Sequence, residues 1–163
     1  MIGNVWTGRA WLGLAAALVV ACSPGAGGAA PAPTPAVHPE SGLRVIPLTI
    51  TSASGTHRFK VEVAASPAEQ ARGLMFRTRL GPDEGMIFPM NPPRAASFWM
   101  KNTVISLDLI FIAPDGRISN IAAQAIPYDL TSLTSVGPVK AVLEIPGGRA
   151  AELGIAAGDK VAW

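Results

Sequence analysis

The stretch Ser97–Gly116, SFWMKNTVISLDLIFIAPDG, places Lys101, Asn102 and Asp108 inside an otherwise apolar run. A charge buried without a partner is costly, so these groups are either paired or kept for a task. Paired carboxylates could do general acid–base chemistry such as glycoside hydrolysis, and Asp83, Glu84, Asp108, Glu144 and Asp159 supply the raw material. Glu144 resembles Asp108 in sitting within an apolar strand, Val142–Ile145. Two such groups facing one cleft would have perturbed pKa values, whereas the plainer expectation pairs Glu144 with Arg72 or Arg77. Met75, Met86, Met90 and Met100 are soft thioethers able to select Cu(I), although packing in a core is their commoner use. Nucleophilic catalysis has only His57 to draw on, a residue beside a turn, and a closed zinc site lacks ligands. Binding uses more of the sequence: Trp99 offers an aromatic platform, and Lys101, Asn102, Asp108, Arg72 and Arg77 offer polar groups around it.

These residues need a scaffold, and the pattern is one of short strands. Arg44–Thr51 and His57–Val63 read as an antiparallel hairpin, with Phe59, Val61 and Val63 alternating against Arg58, Lys60 and Glu62. Ser66–Gly73 is the clearest helix: Ser66 as N-cap, Pro67 in the first position, Glu69 completing a capping box, and Gly73 as the stop. Met86–Phe88, Leu107–Ile112, Arg117–Ala123, Val139–Ile145 and Asp159–Ala162 follow as strands, and Arg149–Leu153 as one helical turn. The fold class is therefore mainly β, a single small β-sandwich or partly closed barrel with one or two short helices. A hairpin of Phe98–Asn102 with Leu107–Ile112 around Thr103–Ser106 would set Lys101 opposite Asp108, neutralising both. Its loop would either bury Val104 and Ile105 or present them to a partner.

The first residues follow a different logic. Arg9 precedes the apolar run Trp11–Val20, too short to span a membrane but suited to a signal-peptide core, and Val19-Val20-Ala21-Cys22 is similar to the bacterial lipoprotein signal. Residues 1–21 read as the signal peptide and Cys22 as the lipidated residue, so the membrane is a partner through this anchor. Residues 22–42, rich in Ala, Pro and Gly, read as a tether, with His38 solvated, and residues 43–163 as the all-β domain. Ser23 in place of Asp favours the periplasmic face of an outer membrane. The balance of 13 basic and 11 acidic residues, with no basic run, argues against a nucleic-acid partner.

Together Arg72–Arg77 (RGLMFR), Gly85–Phe88 (GMIF), Phe98–Thr103 (FWMKNT), Leu107–Ile112 (LDLIFI), Val142–Gly148 (VLEIPGG) and Leu153–Val161 (LGIAAGDKV) resemble the bacterial and archaeal domain-of-unknown-function family numbered 192. The resemblance runs from about Thr49 to Val161 and implies a small all-β domain, often secreted or lipid-anchored, with no activity attached. Ser106 stands where that family usually has Pro, and Ala141 where an aromatic is common.

The sequence thus reads as a lipid-anchored extracytoplasmic domain, a binding or interaction module ahead of an enzyme, with no cofactor expected; Cu(I) binding and carboxylate-based hydrolysis stay as lesser alternatives. Its ligand is a small molecule or glycan at Trp99, Lys101, Asn102, Asp108, Arg72 and Arg77, or else an envelope protein at Val104 and Ile105. If Cys22 carries the anchor, labelled palmitate supplied to producing cells enters the chain and Cys22→Ser removes the label; label retained in that variant contradicts the assignment.

Overall fold

The computed structural model describes Gly3 and residues 36–163. Apart from Gly3, the expected signal peptide, the lipidated Cys22 and the tether as far as residue 35 lie outside the described residues. The chain forms β1 (Val45–Ser52), β2 (Gly55–Val63), α1 (Pro67–Arg72), β3 (Glu84–Arg94), β4 (Ser97–Phe98), β5 (Leu107–Ile112) and β6 (Ile118–Ala125). After these come β7 (Leu133–Thr134), β8 (Val139–Pro146), α2 (Arg149–Glu152) and β9 (Lys160–Ala162). Seven strands make one curled sheet in the order β6-β5-β8-β3-β2-β1-β9, and β4 pairs with β7. The neighbours β2 and β3 run parallel, and the other ladders are antiparallel. The two edges of the sheet meet locally: Ile118 donates its N–H to the Asp159 carbonyl at 2.9 Å, and Arg117 bridges Lys160. The result is a half-closed barrel, in line with the expected class.

Both faces of the sheet are covered. On β8, Ala141, Leu143 and Ile145 join a core with Leu48, Ile50, Phe59 and Val61, while Val142 on the opposite face joins Met86, Phe88, Leu109 and Phe111. β5 alternates in the same way, which is why all six of its residues are buried and its sequence shows no polar period. A strand apolar on both faces belongs inside the sheet, with a partner on each side. β5 accordingly lies between β6 and β8.

That position overturns the expected hairpin of Phe98–Asn102 with β5. Phe98 pairs with Leu133 instead, and the chain from Trp99 to Ser106 is a loop in which Asn102 has φ +55°. Lys101 is exposed and does not meet Asp108. Asp108 is fully buried, and its carboxylate accepts three backbone N–H groups: Gln124 at 2.7 Å, Gly148 at 2.9 Å and Ala150 at 2.8 Å. The alternative of presenting Val104 and Ile105 to a partner is weakened, because both are half-buried and Ile105 packs on the core.

Local signals held where they were strongest. α1 has the full capping box, with Ser66 Oγ accepting the Glu69 N–H at 3.3 Å and Glu69 Oε2 accepting the Ser66 N–H at 2.7 Å. The end of the expected tether packs on the barrel: Val45 N–H reaches the Ala36 carbonyl at 2.7 Å, and Val37 bridges Arg44. His38 is half-buried, with Nδ1 3.7 Å from Glu62, rather than solvated.

Because Lys101 and Asp108 do not touch, their substitutions should add. We expect Asp108→Leu to cost about 3 kcal/mol, since three buried donors lose a charged acceptor, and Lys101→Met to stay within about 0.5 kcal/mol. Denaturant unfolding of both singles and the double checks this; a coupling energy above about 1 kcal/mol would restore the pairing.

Candidate functional site

α1 and its exit, the second half of β3, the β4 segment and β8 surround a cleft of about 510 Å³. Leu74, Phe88, Met90 and Phe98 form its apolar walls, Trp99 stands at the side, and Arg72 and Arg94 line the mouth. Glu144 lines it from β8. The register explains why: Glu144 sits opposite Met86 on β3 and Leu109 on β5, so it shares the face of Val142 and projects into the second core cluster. Gly85 permits the close approach of β3, since a Cβ there would lie 2.5 Å from the Glu144 carbonyl oxygen.

Glu144 differs from every other carboxylate singled out above. Asp83 pairs with Arg149 at 2.8 Å, Glu84 accepts the Gly81 N–H at 2.8 Å, and Asp159 accepts the Ala156 N–H at 2.8 Å. Asp108 is saturated by backbone. Glu144 is 6% exposed and takes no side-chain hydrogen bond among the described residues, and its carboxyl oxygens keep access to the solvent of the cleft, since no buried side-chain oxygen is left without a partner there. Burial alone pushes its carboxyl up to about 8. Neither expectation for it survives: among the described residues no arginine pairs with it, and Asp108, opposite Ile145, lies on the other face of the sheet, so the two carboxylates do not share a cleft.

The other expected site residues separate. Trp99 and Arg72 belong to the cleft, and Lys101 lies beside it with Nζ 5.2 Å from the Trp99 ring centroid. Asn102 shapes the loop; its carbonyl accepts the Phe76 N–H at 2.8 Å and its Nδ2 approaches Met75 Sδ at 3.8 Å. Arg77 is elsewhere and structural: its guanidinium forks onto Glu62 at 3.0 and 3.2 Å, and its Nε reaches Glu40 at 3.2 Å, fastening the segment before β1. Met86 and Met100 are buried in the core among Phe88, Leu109 and Phe111, a packing role. His57 bonds Ser52 and Ser54 in the β1–β2 turn.

Beside the cleft lies a surface that sequence reasoning missed. Phe76, Asn102 and Tyr128 all have positive φ, of 64°, 55° and 64°, and backbone bonds tie Phe76 to Asn102 and Tyr128 to Thr103. Phe76, Trp99 and Tyr128 are 61%, 51% and 61% exposed. Left-handed backbone at an aromatic residue is rare and leaves no periodic trace in a sequence. Arg94, following Pro92 and Pro93, carried no signal either.

A family model, DUF192, described as uncharacterized ACR, matches residues 49–163, and the chain belongs to that family. The chain is similar to a crystallised protein of unknown function from Novosphingobium aromaticivorans DSM 12444, at 61% identity and a TM-score of 0.79, covering 81% of this chain and 94% of that one. It is also similar to a crystallised candidate transcription regulator from Sinorhizobium meliloti 1021, at 38% identity and a TM-score of 0.71, covering 74% of this chain and 94% of that one. No curated protein matches.

Between pH 4.5 and about 8 the folded chain keeps the Glu144 proton that the unfolded chain releases. The group's stabilising contribution is therefore complete below pH 4.5 and is lost as the pH rises through about 8. Glu144→Gln, which cannot ionise, should gain on the parent by on the order of 3 kcal/mol between pH 5 and 9. Denaturant unfolding of both proteins across that range reads the difference; a flat difference contradicts a buried neutral carboxyl.

Proposed function

We propose that this DUF192 chain is a small-ligand-binding module held outside the cytoplasm by a lipid on Cys22, and that its ligand occupies the cleft floored by Glu144 and flanked by Trp99. The observation that carries the reading is Glu144 itself. The chain holds this carboxyl at the bottom of an open cleft, 6% exposed and without a side-chain partner among the described residues, so that its oxygens are turned to the cleft's solvent rather than bonded into the core. A volume of about 510 Å³ suits a small molecule. The expected polar set contracts to Trp99 and Arg72, with Lys101 beside them and Asn102 shaping the loop, and it gains Glu144 and Arg94. Arg77 and Asp108 act on the scaffold.

A partner protein of the envelope is the second reading, and the exposed Phe76, Trp99 and Tyr128 favour it over Val104 and Ile105. Catalysis draws no comparable support: general acid–base hydrolysis wants two carboxylates, and among the described residues this cleft is lined by one.

Native mass spectrometry of the full chain, purified from producing cells without denaturation, is the test. A reproducible added mass that Trp99→Ala removes is the expected result. A clean apo spectrum for the parent, or an added mass indifferent to Trp99→Ala, overturns the cleft as the binding site.

A further inference from the structure

We infer that the ligand of the cleft is a small organic anion, with its charged head between Arg72 and Arg94 at the mouth, an aromatic or apolar body against Phe98, Met90 and Trp99, and an oxygen at its inner end hydrogen-bonded to the Glu144 carboxyl. The inference rests on the cleft being a binding site and adds the charge and polarity of what binds there.

Three observations converge on that chemistry. The first is the sign of the mouth. Arg72 and Arg94 are exposed, and among the described residues neither joins an ion pair and Glu144 is the only acid lining the cleft. Lys101, stacked near Trp99, adds a third cation beside it. Guanidinium forks match carboxylate, sulfate and phosphate groups, and cations around a low-dielectric recess concentrate anions there.

The second is the inner end. Glu144 is surrounded by Met86 and Leu109 across its two ladders and by Leu74 and Phe88 within the cleft, and Arg72 and Arg94 are the charged side chains lining the same space. Burial favours its protonated form, a group that donates one hydrogen bond and accepts another. A ligand oxygen satisfies it without creating a buried charge. An ammonium would have to pass two guanidinium groups and force Glu144 to ionise among apolar neighbours, which is the costlier arrangement. A purely apolar ligand would seal the carboxyl in with no partner at all.

The third is the wall between the two ends. Phe98 lies edge-on to Phe88, with ring centroids 5.1 Å apart, and Trp99 is half-exposed beside them. These rings give a flat or chain-like body an apolar face to lie on, beside the polar Gln70, Ser97 and Thr103 that also line the cleft.

Three isosteric probes test the inference: 3-(4-hydroxyphenyl)propionate, 3-phenylpropionate and 3-(4-hydroxyphenyl)propylamine, titrated against the full chain by saturation-transfer NMR. The hydroxy acid should bind about tenfold more tightly than the amine and a few-fold more tightly than the acid lacking the inner oxygen. Replacing Arg72 and Arg94 together by Ala should weaken both acids about tenfold. Glu144→Leu should erase the difference between the two acids, while Glu144→Gln, which still donates and accepts, should preserve it. An amine that binds as tightly as the acids, or acids indifferent to the arginine substitutions, overturns the anion assignment. The cleft reading survives that outcome where Trp99→Ala still weakens the amine. Failure of all three probes to bind also overturns the assignment, and the cleft reading falls with it only where the native spectrum shows an unloaded chain.

Discussion

The carboxylate of Asp108, buried near the start of β5 and shared among three backbone donors, is the constraint on which the remaining geometry depends. Its Oδ1 takes the N–H groups of Gln124 and Gly148, and its Oδ2 that of Ala150. Those donors belong to three separate features: the irregularity where β6 pairs with β5, the turn that ends β8, and the first turn of α2. Local hydrogen bonding alone would satisfy none of them. Gln124 has φ +50° at a register shift, and the α2 N-cap is Gly148 in the left-handed region with no side-chain cap of its own. The Asp108 carboxylate therefore does for α2 what a capping side chain does elsewhere, from across the sheet. Gly147 completes the arrangement, because a Cβ there would collide with Ser106.

With β8 held by Asp108 at its end, the pleat decides the rest. Side chains alternate between faces, so a one-residue slip of β8 would exchange Val142 and Glu144 with Leu143 and Ile145. Glu144 would then leave the cleft for the core of Leu48, Phe59 and Val61. The same motif, VLEIPGG, thus contains both the acid that lines the cleft and the glycines whose backbone anchors it. Asp108 and Glu144 look alike in sequence, each one carboxylate in an apolar strand. They differ in what surrounds them: three backbone N–H groups from β6, the turn after β8 and α2 for Asp108, and the apolar Met86 and Leu109 on the flanking strands for Glu144. One carboxylate is bonded into the scaffold; the other faces the cleft without a side-chain partner among the described residues.

What could be read from the sequence was what local physics decides. The β1–β2 hairpin follows from alternation, and α1 from a capping box, Pro67 and Gly73, all within a few residues of one another. β5 was recognisable as a strand because of its apolar residues, but its partners are set by residues far along the chain, and proximity favoured the wrong one. β3 extended through Pro89, Pro92 and Pro93 to Arg94, where prolines argue against a ladder; the pairing with β8 is irregular across those residues. β4 and β7, two residues each, have no period to detect. The candidate site was half legible. Trp99 and Arg72 belong to distinctive motifs, and Glu144 was conspicuous as a lone acid, but its lack of a partner is a property of three strands together.

The aromatic surface beside the cleft follows the opposite logic to the core. Phe76, Asn102 and Tyr128 each carry left-handed backbone at a cost of about 1 kcal/mol for a residue with a Cβ. Three such residues amount to a sizeable share of a stability of about 5–15 kcal/mol. Folding recovers little of this through Phe76 and Tyr128, because their side chains remain mostly in water. Backbone bonds from Phe76 to Asn102 and from Tyr128 to Thr103 hold the strained segments together, so the strain is maintained rather than relaxed. Strain maintained at exposed aromatics beside the cleft is a cost that core packing does not explain. The same loop supplies Trp99 to the cleft, so the backbone that positions this wall is set by the bonds that hold Phe76 to Asn102 and Tyr128 to Thr103.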